Sequence, residues 1–483
     1  FRLLRALAEP AVKPLLLYRR LRASNDDAIN PFSTFLGCNE PLPYHREGLI
    51  LILLCLSYSF DATAPEKNTT ELVTMLVEEV YRYYLDNDHG NPKRYTAGLD
   101  PLLDDHLARQ ALQPRTFFEA RDRLFKAGDQ AGAQLAHEQA MPLLENAAVL
   151  LKQSHRIHAE FGTAKTADGQ PLVDYVHQQW VAALHLFPQL QAPTRVQLGQ
   201  ARVLGFDLEE VAPIAFSERE SRITTVAILL ARHLSVRYLL LRPEHVSHFA
   251  PLYQTWARQV IDHAYASQKR MSYDEVQIFR GIAPAEKQLV LDASVERKHN
   301  WSLAFGTQLL QFLPKELIEL ASSRFLVGEQ SPPAIDTLDA QFHLTAGEKA
   351  VLRDKLRAPS REGSSVLAIL STRDHALVVQ HLRFPCPPRL LWALATSRDN
   401  EIIQRAVRDR LDELDALDAL AGRFPEGSAK AWLDHLMREY PEKTRAQLIQ
   451  DITESVVTYY LEKSHAASAS VSVSAATPES ATA

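Results

Sequence analysis

The stretch Lys269-Arg270-Met271-Ser272-Tyr273-Asp274-Glu275-Val276-Gln277-Ile278-Phe279-Arg280 decides how the rest of the chain is read. A short, half-apolar run ends on an Asp-Glu pair, followed by a turn toward a helix. A nucleotide-hydrolysing site needs this arrangement, because one carboxylate holds the water shell of a divalent cation while the next orients the attacking water. An exposed turn has the same composition, and Ser272 interrupts the apolar run, so the flanking segments must arbitrate.

Working outward, strand-like runs recur with helices between them. Arg202-Val203-Leu204-Gly205-Phe206-Asp207-Leu208 precedes a helix at about Ser221 to Leu241, and Trp301 to Gly306 and Arg324 to Gly328 follow the Asp-Glu pair. Strands that alternate with helices predict a parallel sheet with right-handed crossovers. Lys13 to Leu21 (KPLLLYRRL) has the apolar-then-basic form of one more buried parallel strand. An extended turn follows at Ala28-Ile29-Asn30-Pro31-Phe32, because the ring of Pro31 pushes Asn30 out of the helical region. Leu42 to Ser59 then predicts a helix that is apolar nearly all round and packs inside an α/β layer. Val366 to Leu370 and Ala376 to Arg383 predict a hairpin capping one sheet edge, with the charged turn Ser371-Thr372-Arg373-Asp374 at its tip.

From about Asn68 to Gln200 the period changes to that of long amphipathic helices. Thr70 to Leu85 places Leu72, Val73, Leu76, Val80 and Tyr84 on one face, and Thr116 to Phe125, Gln130 to Lys152 and Leu172 to Leu186 repeat the pattern without a fixed repeat length. The fold class read from these segments is α/β, a parallel sheet interrupted by a large all-helical insertion. Residues 1–60 open the core, 61–200 form the insertion, 201–420 complete the core and carry the hairpin, and 421–463 are C-terminal helices. Residues 464–483, rich in Ala, Ser and Val, are too poor in large apolar groups to pack and are expected to be disordered.

Composition sets the outer bounds. The 483 residues are 46% hydrophobic and 23% charged, which describes a globular chain of two or more domains. A net charge of -6 argues against a protein that coats nucleic acid, although a local basic channel is compatible with it. Arg19, Arg20 and Arg22 read as a solvated strand end or, alternatively, as a nucleic-acid contact. Three widely spaced cysteines, Cys38, Cys55 and Cys386, form no CxxC pair and no even disulfide framework, so a reducing, cytosolic setting is expected. The most apolar run, Leu49 to Leu56, is too short to cross a bilayer. A first residue of Phe1 rather than Met suggests a piece of a longer protein.

Other chemistries find little support. A phosphate-cradling loop needs two glycines with four residues between them, then Lys and Ser or Thr. The nearest approach, Gly162-Thr163-Ala164-Lys165-Thr166, has Ala159 and Ala164 where both glycines must stand, and reads as an inter-helix loop. The pairs His155/His158 and His375/His381 lack a third ligand at metal spacing. No Gly-x-Ser-x-Gly elbow occurs, and no cysteine has a nucleophile's context.

A series of short segments, in order, carries a resemblance. They are Ala28-Ile29-Asn30-Pro31-Phe32 with Leu36-Gly37-Cys38 and Pro41-Leu42-Pro43, Asn91-Pro92-Lys93-Arg94-Tyr95, Ala192-Pro193-Thr194-Arg195 leading into Phe206-Asp207-Leu208, Tyr273-Asp274-Glu275, Thr307-Gln308-Leu309-Leu310, Ala358-Pro359-Ser360-Arg361-Glu362-Gly363, and Leu391-Trp392-Ala393-Leu394-Ala395-Thr396-Ser397. Together they resemble the IcmB/DotO family of type IVB secretion and conjugative-transfer ATPases, relatives of the VirB/TraC-type conjugation ATPases.

The resemblance implies a RecA-like P-loop NTPase core using ATP and Mg²⁺, with Asp274 and Glu275 as the Walker B pair. Asp274 would hold Mg²⁺ through water and Glu275 would polarise the attacking water. Gln308 would sense the γ-phosphate, or serve only as a polar residue at a helix start. Arg361 or Arg398 would reach a neighbouring subunit's site as an arginine finger. The family's Walker A loop lies upstream of the strand at Lys13 to Leu21, so this chain is expected to begin after it and not to bind nucleotide tightly alone. The implied protein is a homo-oligomer, a hexamer by analogy, peripheral at the cytoplasmic face of the inner membrane. Its partners would be other secretion ATPases, inner-membrane subunits, and a protein or DNA cargo. The alternative is a catalytically inactive remnant or helical interaction scaffold.

Overall fold

The computed structural model describes residues 8–9, 11–59, 62, 64–85, 90–199, 201–211, 217–295, 300–372 and 377–474. They divide into two compact units, Leu17–Leu320 and Phe1–Leu16 with Ala321–Ala483.

Most of the larger unit is helical. Pro43 occupies the first turn of α1 (Pro43–Leu56), where its missing N–H costs nothing. Leu49, Ile52, Leu53 and Leu56 of α1 are fully buried, each contributing about 1.5–3 kcal/mol of hydrophobic stabilisation. Its buried core continues through α2 (Thr69–Leu85), α3 (Pro101–Arg109), α4 (Phe117–Lys126), α5 (Gln130–Ala140), α6 (Leu144–Gln153), α7 (His155–Phe161) and α8 (Leu172–Leu186), of which α2 and α8 pack against α1 itself. Along α2 the apolar face is Leu72, Val73, Leu76, Val80 and Tyr81, with Tyr84 only half-buried. The single helix expected from Gln130 to Lys152 is two, because Pro142 supplies no N–H to continue the ladder. Trp180 of α8 is buried, and its Nε1 donates to Ser57 Oγ at 2.9 Å, closing the bundle over the end of α1.

Residues 28–38 form a loop that is buried throughout. Such a loop persists only if its polar groups find partners inside the protein. Asn30 N donates to Thr194 Oγ1 (3.0 Å), Asn30 Nδ2 to the Pro142 carbonyl (2.8 Å), and Arg195 N to the Ala28 carbonyl (2.9 Å). Ser33 Oγ bonds Glu138, whose Oε1 in turn lies 3.4 Å from Arg237 Nη1. Gly37 ends the loop with φ +88°, and a Cβ there would stand 2.3 Å from Tyr253 Cγ, so only glycine fits. Two of the segments that carry the family resemblance, around Asn30 and Thr194, thus meet in one structural junction.

The strands fall near their expected places, but they do not form one sheet. β1 (Leu16–Arg20) pairs with β2 (Val203–Asp207) in a two-stranded sheet, and Arg19 and Arg20 bond Asp27 and Asp207. A helix α9 (Glu218–Ser235), started by a Ser217/Glu220 capping box, and α10 (Gln254–Ala266) lead to the second sheet. There β3 (Lys269–Tyr273) and β4 (Trp301–Phe305) run parallel, joined through α11 (Ala283–Val295). The expected RecA-like parallel sheet is therefore not present as one layer among the described residues, which show a helix-rich α/β chain with small sheets. Burial shows why. Central parallel strands are covered on both faces, whereas Arg270 and Ser272 of β3 face solvent. The larger unit closes with α12 (Lys315–Leu320).

The run expected as another parallel strand, Arg324 to Gly328, is β5 (Ser323–Val327) of the second unit. It pairs antiparallel with β6 (Ser364–Ser371), and β6 pairs antiparallel with β7 (Leu377–Phe384). Between β5 and β6 lie α13 (Pro332–Phe342) and α14 (Ala346–Asp354). The hairpin is present, and the Arg373 and Asp374 assigned to its tip, with His375, lie outside the described residues. The helices α15 (Pro388–Leu394), α16 (Arg398–Arg408), α17 (Glu413–Arg423), α18 (Lys430–Glu439) and α19 (Arg445–Ser474) share a core around Trp392, Ile403, Val407, Leu420, Leu433, Leu448 and Ile452. The last helix continues to Ser474, through the start of the stretch expected to be disordered. Alanine is the best helix former, and extending an existing helix needs no new nucleus.

Candidate active site at the carboxyl edge of β3 and β4

The two parallel strands are in register, Tyr273 opposite Phe305, with their rings stacked at a centroid distance of 5.8 Å. The next residues, Asp274 and Gly306, consequently leave the same edge side by side. Gly306 N donates to the Tyr273 carbonyl (2.8 Å), and Val276 N donates to the Gly306 carbonyl (3.0 Å). This clasp fixes the turn after β3 against the end of β4. Asp274 Oδ1 accepts the Glu275 N–H at 3.0 Å, and both acidic side chains are exposed.

Glu275 has φ +53° and ψ +47°, a left-handed conformation uncommon for a residue with a side chain. Such a residue costs on the order of 1–3 kcal/mol, and persists only where its surroundings over-determine it. Here the surroundings are a 3-10 turn, Val276–Phe279, with Val276 and Phe279 buried against Ile282, Ala285, Leu289 and Leu317. Gln308 lies two residues beyond Gly306 on the continuation of β4 and is exposed. Asp274, Glu275 and Gln308 thus share one edge of adjacent parallel strands, where ligands of open α/β sheets bind.

A buried ion pair lies near Tyr273. Arg232 of α9 donates from Nε to Asp292 Oδ2 (2.9 Å) and from Nη2 to Oδ1 (2.5 Å) of α11, and Gln288 Nε2 adds a third bond to Oδ1 (2.7 Å). The Arg232 and Asp292 side chains are only 5% and 2% exposed. Burial alone pulls the Arg232 guanidinium down, but Asp292 and Tyr273 outweigh it and hold the pKa above its ordinary value. Burial likewise pushes the Tyr273 phenol up, against the pull of Arg232. Sequence reasoning missed this pair, since nothing in an apolar helix says which distant acid faces its arginine. It missed Gly306 too, although a glycine directly after a strand is a signal of close approach.

The expected arginine fingers lie in the other unit. Arg361 is exposed and 3.7 Å from Glu426, and Arg398 is the exposed first residue of α16. Other residues of the resemblance are structural. Lys93 Nζ donates to the Met141 carbonyl (2.6 Å), with burial pushing its pKa down to about 8, and buried Trp392 donates to the Phe424 carbonyl (2.8 Å).

Mg²⁺ at a nucleotide site is held by one or two carboxylates, waters and the substrate's phosphates rather than by an all-protein cage. Asp274 fits the carboxylate share, since it is exposed and, among the described residues, no hydrogen bond engages its Oδ2. Among the described residues no group of three or more His, Cys, Asp or Glu could hold a metal ion without phosphates. The sequence contains no GxxxxGK[ST] stretch of its own to cradle the phosphates.

No family model matches the chain, and no curated protein does. Among solved structures, the chain is similar to VirB4 of Thermoanaerobacter pseudethanolicus at 13% sequence identity and a TM-score of 0.35, with 78% of this chain and 79% of that one covered. So loose a likeness assigns neither fold nor activity, and the functional reading rests on the residues themselves.

Proposed function

We propose that this chain belongs to an ATPase motor subunit of a type IVB-like secretion or conjugation machine. Asp274 serves the Mg²⁺ of bound ATP through water, and Glu275 polarises the attacking water. One observation carries the reading: an Asp-Glu pair and a glutamine at the same carboxyl edge of two adjacent parallel strands, with the glutamate held left-handed by a buried turn. In this reading Gln308 senses the γ-phosphate, and Arg361 or Arg398 completes the site of a neighbouring subunit in a ring. The ring works at the cytoplasmic face of the inner membrane, with partner ATPases and membrane subunits, on a protein or DNA cargo. Among the described residues no helix is long and apolar enough to cross a membrane.

The reading is tested on the full-length protein by titrating a fluorescent ATP analogue with and without Mg²⁺. Asp274→Ala is expected to remove the Mg²⁺ dependence of binding while the metal-free affinity stays within about twofold. Equal Mg²⁺ dependence in both proteins takes Asp274 out of the site. The missing phosphate loop favours a second reading, an interaction scaffold built on the helical unit. A full-length protein that binds no nucleotide at all decides for it.

A further inference from the structure

At the β3–β4 edge a functional group occupies the space that a side chain on residue 306 would take, and the residue there is Gly306. A Cβ built there would stand 2.6 Å from Asp274 Oδ1, and its next two neighbours, both at 3.6 Å, are the Cα and Cγ of Asp274. A carbon and an oxygen settle at about 3.3 Å or more even in favourable C–H···O contacts, so the carboxylate would have to retreat by roughly 0.7 Å. The backbone itself does not ask for glycine. Gly281 and Gly328, at φ +79° and +73°, sit in the left-handed region, whereas Gly306 does not. Its two backbone hydrogen bonds, to Tyr273 and from Val276, are equally open to alanine.

We propose that Gly306 is a positioning residue: its bare Cα leaves the space in which the Asp274 carboxylate folds back over the end of β4. In that space Oδ1 also accepts the Glu275 N–H. One oxygen thereby anchors the left-handed residue beside it, and among the described residues no hydrogen bond engages the other. The carboxylate, its neighbour's backbone and the end of the adjacent strand become one preset unit. The inference rests on the ATPase reading for its purpose and on the Gly306–Asp274 contact for its geometry.

The test is Gly306→Ala in the full-length protein, read three ways. Because the clashing atom is the tip of an exposed side chain, the variant is expected to fold with a Tm within about 2 °C of the wild type. A crystal structure is expected to show the Asp274 carboxylate swung away from residue 306, with the hydrogen bond to Glu275 N lost. Mg²⁺-ATP turnover is expected to fall by about tenfold to a hundredfold, as misplacement on the scale of 1 Å does, with a several-fold rise in the Mg²⁺ concentration giving half the rate. An unmoved carboxylate, an unfolded variant, or turnover with unchanged Mg²⁺ dependence each overturns the proposal. A wild type without turnover sinks the ATPase reading instead, and the position of the Asp274 carboxylate in the variant still decides the geometric claim.

Discussion

Replacing Asp292 by alanine leaves the Arg232 guanidinium buried and without its carboxylate. An exposed ion pair is worth only about 0–1 kcal/mol, because water takes over from the lost partner. That replacement is closed here, since the two side chains are 5% and 2% exposed and joined by two hydrogen bonds, with Gln288 on the same carboxylate. Breaking a buried pair from one side costs about 3–5 kcal/mol, so Asp292→Ala is expected to destabilise the larger unit by that amount. At a urea slope of about 2 kcal/mol/M, the midpoint falls by roughly 2 M. The assay is equilibrium urea unfolding followed by the fluorescence of a protein whose other four tryptophans are replaced by Phe, leaving the buried Trp301 as the reporter. The double variant Arg232→Met/Asp292→Leu, which removes both charges, is expected to recover most of the loss. A loss below about 1 kcal/mol for Asp292→Ala would show that the guanidinium reaches water, and that no sealed ion pair lies behind β3.

Two further perturbations test the packing of the larger unit. Gly37→Ala combines strain at φ +88° with a collision against Tyr253, which cannot withdraw because it is buried and its hydroxyl donates to Asp122 at 2.6 Å. A loss of about 2–4 kcal/mol is expected, and a Tm within about 2 °C of the wild type would refute it. The second is acidity. Burial, reinforced by Arg237 and Arg232, pushes His45 down to about 3, and burial with neighbouring positive charges holds His137 and His233 well below their ordinary value. Between about pH 6.5 and the lowered folded values the unfolded chain takes up protons that the folded chain refuses. Stability is therefore full above about pH 6.5 and falls below it, by about 1.4 kcal/mol per pH unit for each histidine. Urea midpoints at pH 7.5 and pH 5.5 check this, and identical midpoints contradict it.

Local periodicity made the helices and the places of the strands legible, while long-range geometry hid the rest. The apolar positions at Leu172 to Leu186 mark a helix whose bounds are those found in α8. The wrap-around apolar character of Leu42 to Ser59 marked a buried helix correctly. Sheet membership could not be read the same way. Arg324 to Gly328 looks like any parallel strand until β6, buried from Ser365 to Ile369, takes it as an antiparallel partner. The acidic pair and Gln308 were legible as neighbours on one edge because β-α-β order places successive parallel strands side by side. The left-handed backbone of Glu275 and the contact of Gly306 with Asp274 were not, since both depend on atoms that only the folded chain brings together. The segments around Asn30 and Thr194 stood out as motifs without revealing their role, which the buried junction of residues 28–38 supplies.

The proposed role of Glu275 is to polarise a water for attack on ATP. It is tested most directly by steady-state phosphate release from the full-length protein at saturating Mg²⁺-ATP, comparing wild type with Glu275→Gln. The amide keeps the size and the left-handed turn but cannot act as a base, so turnover is expected to fall by at least about a hundredfold while ATP binding is unchanged. Equal rates in the two proteins would contradict the account.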